Sequence, residues 1–145
     1  MGLKLGYNEA TCKAQSSVEL DLRLCEQYDY NYIELRLDML KDYFKTHTVE
    51  DLKAFFAASH LKPFALNSIE NINFCTPEAW AELVDLFTFA CETAAAIGNP
   101  YIIVVPTMTT EVCTLNEQVV FEDSVRVLNQ LADMAEPYGV KLSSH

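Results

Sequence analysis

Cations are scarce: only 10 of the 145 residues are Lys or Arg, against 21 Asp and Glu, a net charge of −11. Such a field repels a phosphate backbone, and no basic stripe offsets it, which excludes nucleic acids and anionic membranes as partners. Long apolar runs are missing too; the longest spans Tyr101 to Pro106. No segment is therefore long enough to cross a bilayer, and MGLKLGYNEATCK shows no signal-peptide pattern. A cytoplasmic protein is expected.

Cysteine pairing motifs are also absent. Five cysteines, at positions 12, 25, 75, 91 and 113, form no C-x-x-C and no zinc-knuckle spacing, as expected of reduced thiols. Cys25 and Cys91 fall on apolar helix stripes and read as core. With four glycines, the chain has no Gly/Ser linker and no G-x-G-x-x-G turn; GYNEAT stands after the first strand instead. One domain, 1–145, is expected.

What is present is an alternation of two periodicities. Strand-like stretches are Lys4 to Asn8, Tyr32 to Leu37, Pro63 to Ile69, Tyr101 to Pro106 and Val140 to Ser143. Helical stretches lie between them. The first opens at Ser16 with Glu19 in a capping-box position and carries Val18, Leu22, Cys25 and Tyr28 on one stripe. Thr48 caps the second, whose face is Val49, Leu52, Phe55 and Phe56. Thr76-Pro77 opens the third, bearing Trp80, Leu83, Val84, Phe87 and Cys91, and Gly98 stops it. The fourth has Phe121, Val125, Leu128, Ala132 and Ala135 as its expected inner face. Trp80 and the phenylalanines read as core residues.

Strand–helix alternation of this kind predicts parallel strands with crossover helices. The strands recur about every 34 residues, in keeping with a TIM (β/α)8 barrel, whose eight units take roughly 250 to 280 residues. The expected architecture is β1α1β2α2β3α3β4α4β5, a half barrel with open edges. An open doubly wound sheet is the competitor. Against it stands the second strand, where Ile33, Leu35 and Leu37 alternate with Glu34, Arg36 and Asp38. One face meets helices, and the other meets something polar, such as a barrel lumen.

Candidate site residues follow from that geometry. Glu34 and Arg36 share the polar face near the strand's carboxyl end, where barrels place their chemistry; the alternative is a structural ion pair. Asn8 and Glu9 follow the first strand, and Asn67 sits at the exit of the third, where amides and carboxylates bind hydroxyls. Asp38 reads as a turn residue. His47 and His60 bracket the second helix, away from the expected mouth, and read as structural.

GYNEAT, YIELR, LKPFALN, VVP and AEPYGVKL, in order from Leu3 to Leu142, closely resemble the inosose isomerases of myo-inositol catabolism. These belong to the xylose isomerase-like TIM-barrel superfamily, with sugar isomerases, epimerases and endonuclease IV. The resemblance implies a barrel that binds one divalent metal ion (Zn, Mn, Mg or Co) and isomerises a polyhydroxy ketone. The cation would polarise carbonyl and hydroxyl oxygens while paired carboxylates shuttle the proton. It also implies that residues such as Glu34 and Arg36 line a polyol pocket. The family's ligands are two glutamates, an aspartate and a histidine, from the fifth strand onward. Where the first glutamate should close a strand like VKLSFE, this chain reads VKLSSH, which puts the ligand position on His145. A lone histidine is no catalytic metal site, so the expectation is no bound metal and no activity for these 145 residues alone. Alternatives are a ketose 3-epimerase or hydroxypyruvate isomerase of the same superfamily, or a non-catalytic half barrel that forms homo-oligomers through its open sheet edges.

Overall fold

A computed structural model describes residues 2–144, so His145, at the expected ligand position, lies outside the described residues. Five strands form one sheet: β1 (Gly6–Asn8), β2 (Tyr32–Arg36), β3 (Lys62–Ile69), β4 (Tyr101–Val104) and β5 (Lys141–Ser144). All neighbours are parallel, and the order is β1-β2-β3-β4-β5. A doubly wound sheet reverses direction at a switch point. Here each strand is added on the same side of the last. Crossovers of one hand then all fall on one face, as in a barrel wall.

Among the described residues, six α-helices join the strands: α1 (Val18–Gln27), α2 (Leu37–Tyr43), α3 (Val49–Ala58), α4 (Pro77–Ile97), α5 (Thr110–Cys113) and α6 (Glu117–Ala135). Ile33, Leu35, Leu66, Ile102 and Val104 of the sheet share one buried cluster with Leu22, Leu52, Phe87 and Leu131 of the helices. The opposite face carries an aromatic row instead. Tyr32 lies 5.8 Å from Phe64, and Phe64 5.4 Å from Tyr101, ring centre to ring centre. Cys25 and Cys91 are in the core, as expected.

Helix boundaries follow local chemistry. The Thr48 side chain accepts from Asp51 N–H while Asp51 reaches back to Thr48 N–H, a complete capping box. Thr76 caps α4 with Pro77 in its first turn, and Gly98 ends it at φ 73°, the left-handed region that glycine enters without strain.

Five details depart from expectation. The cap of α1 is Ser17, whose Oγ accepts from Leu20 N–H; Ser16 is drawn off by a 2.6 Å bond to Asp21. Tyr28, beyond the helix end, is exposed. Leu37 belongs to α2, because Leu37 and Leu40 bury one helical turn that the period-2 run of β2 conceals. Phe64, Phe74 and Phe121 are exposed rather than core, and Trp80 is half-buried.

The fifth departure is the rotation of α6. Its buried side is Val127, Leu131 and Ala135, whereas Phe121 is 65% and Val125 41% exposed, and Ala132 is exposed. Two apolar stripes run down this helix, and the sheet takes only one. The other, with Met108, Val112 and Leu115, lines an apolar groove of about 500 Å³ beside β5. Leu131→Ala should therefore cost about 2–5 kcal/mol of stability by urea unfolding, and Phe121→Ala no more than about 0.5 kcal/mol. Equal losses would place Phe121 in the core after all.

Candidate active site

Strand register builds the site on the helix-free face. Asn8 pairs with Glu34 across β1 and β2, and Arg36 pairs with Asn67 across β2 and β3. Glu34 Oε2 accepts from Asn8 Nδ2 at 2.7 Å and from Asn67 Nδ2 at 3.4 Å. Three strands thus contribute to one polar row.

The orientation of Asn8 is fixed from its other end. Its Oδ1 accepts the Ala10 N–H at 2.9 Å and caps the short 3-10 turn Glu9–Thr11, so the amide nitrogen must face Glu34. A hollow of about 240 Å³ lies against Asn8, Tyr32, Glu34 and Phe64. A second, of about 370 Å³, lies against Arg36, Asn67, Ser68 and Glu70. Asn67 belongs to the second and bonds the carboxylate of the first.

Arg36 does not pair with Glu34. Its guanidinium turns to Asp38 at the start of α2, Nε to Oδ1 at 3.0 Å and Nη2 to Oδ2 at 3.1 Å. Lys13 adds a third cationic contact to Asp38 at 3.0 Å. Asp38, expected only to make a turn, is therefore the anchor of the rim cation. Burial alone would push its carboxyl up, but the bonds from Arg36 and Lys13 outweigh that and hold it at about 2.

Glu9 lies behind the row. It is 0% exposed, and its Oε1 accepts the Arg36 N–H at 2.8 Å. No surface remains to meet a substrate, so any influence of Glu9 passes through the backbone of β2. His47 stacks on Tyr43 at 4.2 Å, and His60 is exposed next to the end of α3.

Asn73 escaped the sequence reading. It exchanges two 2.9 Å bonds with Thr107, and its Nδ2 donates to Asp123 and Ser124 of α6. The loop after β3 is thereby tied to the loop after β4. No local pattern marks this residue; only the fold brings positions 73 and 107 together. The aromatic row was more accessible, since Tyr32 continues the alternation of Glu34 and Arg36.

Among the described residues, no group of three or more His, Cys, Asp or Glu could hold a metal ion. The carboxylates at this end are already engaged: Glu34 with two amides, Asp38 with two cations, and Glu70 with Ser68. These residues do not fit a divalent metal, and no step is assigned to one. Among the described residues, no helix is long and apolar enough to cross a membrane.

One-sided helical cover and a polar row at the carboxyl ends of parallel strands define a β/α-barrel wall with a polar face. The chain belongs to the xylose isomerase-like TIM barrel family, whose model matches residues 22–144. It is 39% identical over 142 residues to the inosose isomerase of Halalkalibacterium halodurans, and equally to that of Bacillus subtilis. Each match covers 97% of this chain and 50% of the relative. Among solved structures, the IOLI protein crystallised with a binding zinc atom superposes at TM-score 0.91 with 38% identity, over 98% of this chain and 51% of that one. The chain spans about half the length of the curated relatives it matches.

The Arg36–Asp38 clamp has a pH signature. Because the folded carboxyl is held near 2, below the ordinary value of 3.8, its contribution is present above about 4 and lost as pH falls through about 2. In acid unfolding, Asp38→Asn should flatten the stability profile between those values. An unchanged slope would mean that the clamp is not formed in solution.

Proposed function

We propose that the chain is the amino-terminal part of an inosose isomerase, and that its share of the work is to bind and orient the hydroxyls of the cyclic polyhydroxy ketone. The carrying observation is the Asn8–Glu34–Asn67 row, in a chain 39% identical to inosose isomerases over nearly its whole length.

A polyol ring presents hydroxyls that both donate and accept. Glu34 Oε1 has no recorded protein partner among the described residues and accepts one hydroxyl proton. Asn67 keeps its Oδ1 and a second N–H for a neighbouring hydroxyl. Arg36 uses two donors on Asp38 and has others left for the ketone oxygen, where a cationic donor stabilises developing negative charge. The Tyr32–Phe64–Tyr101 row offers an apolar surface to the C–H side of the ring. The described residues offer no ligand set for a divalent metal such as the zinc of the 38%-identical structure, and no part of this reading passes through one.

An isotope-labelled chain titrated with an inosose should shift the side-chain amides of Asn8 and Asn67. Glu34→Gln should weaken binding about tenfold to a hundredfold. With added divalent metal, the 145 residues alone should not turn the inosose over; turnover would overthrow the assignment of binding without chemistry. If a ketohexose or hydroxypyruvate moves those amides and an inosose does not, an epimerase or hydroxypyruvate isomerase replaces this reading.

The unpaired outer edges of β1 and β5, together with the apolar groove beside β5, favour a second reading, a half barrel that assembles with a second copy. Sedimentation should then show a dimer. A strict monomer at high concentration would remove it.

A further inference from the structure

Among the described residues, Glu9 and Asp21 are the buried carboxyls, and neither has a cationic partner there. Glu9 is 0% and Asp21 2% exposed. Each has one satisfied oxygen: Glu9 Oε1 takes the Arg36 N–H, and Asp21 Oδ1 takes the Ser16 hydroxyl at 2.6 Å. Each also has one buried oxygen, Glu9 Oε2 and Asp21 Oδ2, for which the protein supplies no donor. Burial, and after it a side-chain hydrogen bond with Asp21, pushes the Glu9 carboxyl up.

Two bare carboxylate oxygens buried side by side would repel, and an unmet buried acceptor is costly. One proton between them meets both. Among the described residues, no cation offers alternative compensation. Tyr7 of β1 and Cys25 of α1 face the pair, with Cys12 of the adjoining turn against Tyr7. Asp38 of α2 adds further negative charge, and the guanidinium of Arg36 is spent on Asp38.

We propose that Glu9 and Asp21 share a single proton, and that this pair is a positioning element: it holds the Arg36 peptide N–H and so sets the polar row of β2. That row's role rests on the function proposed above; the shared proton does not. Glu9 enters this position because the 3-10 turn capped by Asn8 directs the next side chain inward. The same five residues, GYNEA, therefore supply one amide to the binding face and one acid to its support.

Burial, then the bond to Asp21, raises Glu9 to about 9, against a bond from the Arg36 N–H that acts to lower it. With the folded value above the unfolded one, the contribution to stability is fully present below about 4.5, declines as pH rises, and is gone above about 9. Near neutral pH, folding should take up about one proton per chain on this account. Above about 9, a charge appears beneath the row and the Arg36 N–H should shift.

The test is a site-resolved NMR titration of the substrate-free chain, following the Glu9 side-chain carboxyl carbon and the Arg36 amide. Both should move together with a midpoint near 9. Glu9→Gln, which keeps an acceptor for Arg36 N–H and gives Asp21 a donor, should fold, leave the Arg36 amide near its neutral-pH position and abolish its alkaline shift. Asp21→Asn, which gives Glu9 a donor, should move the Glu9 midpoint down. A Glu9 carbon that titrates in the ordinary carboxylate range, or an Arg36 amide indifferent to it, overturns the proposal. The inosose titration is repeated at neutral and alkaline pH. Binding that weakens with the Glu9 midpoint in the wild type and not in Glu9→Gln supports the positioning role, and binding that ignores that midpoint overturns it. A pair that titrates as expected in a chain that binds no inosose would leave the shared proton standing and remove the isomerase reading alone.

Discussion

A parallel sheet whose strands are added in chain order can be covered by its own crossover helices on one side only. Everything else in this molecule follows from that asymmetry. The covered side takes Ile33, Leu35, Leu66, Ile102 and Val104 into a continuous core with α1, α3, α4 and α6. The other side must be made of residues that tolerate water or one another: the aromatic row low on the strands, then Asn8, Glu34 and Asn67, then Arg36 at the rim. Polarity increases toward the carboxyl ends, where barrel enzymes work.

The polar row is rigid because its members are each held from a second direction. Asn8 is fixed by Ala10 N–H, Arg36 by Asp38 on its side chain and by Glu9 on its backbone, and Glu34 by amides from both neighbouring strands. A face organised this way would lose little conformational freedom if a ligand docked on it. The supports come from the turn after β1, from α2 and from the strands on either side of β2.

Much of this was legible in the sequence, for identifiable reasons. Strand positions and the helix-directed face of β2 could be read from period-2 alternation, and the ends of α3 and α4 from Thr48, Thr76-Pro77 and Gly98. What could not be read depended on choices between near-equal local options. Ser16 and Ser17 both suit a cap, and only the claim of Asp21 on Ser16 decides between them. Helix α6 carries two apolar stripes of similar strength, and the sheet's position decides which is buried. Glu9 looks like a loop carboxylate until the 3-10 turn sends it inward. The Asn73–Thr107 exchange joins residues that no short-range pattern connects.

The outward stripe of α6 bears on how copies of the chain behave toward each other. Phe121 and Val125 present apolar surface next to the groove at β5, while the whole chain carries eleven surplus negative charges. Mutual repulsion between like-charged particles and the pull of their greasy flanks therefore act in opposite directions. Added electrolyte weakens only the former, over a Debye length of about 8 Å at physiological ionic strength. Any meeting of the flanks would therefore be favoured by brine over dilute buffer.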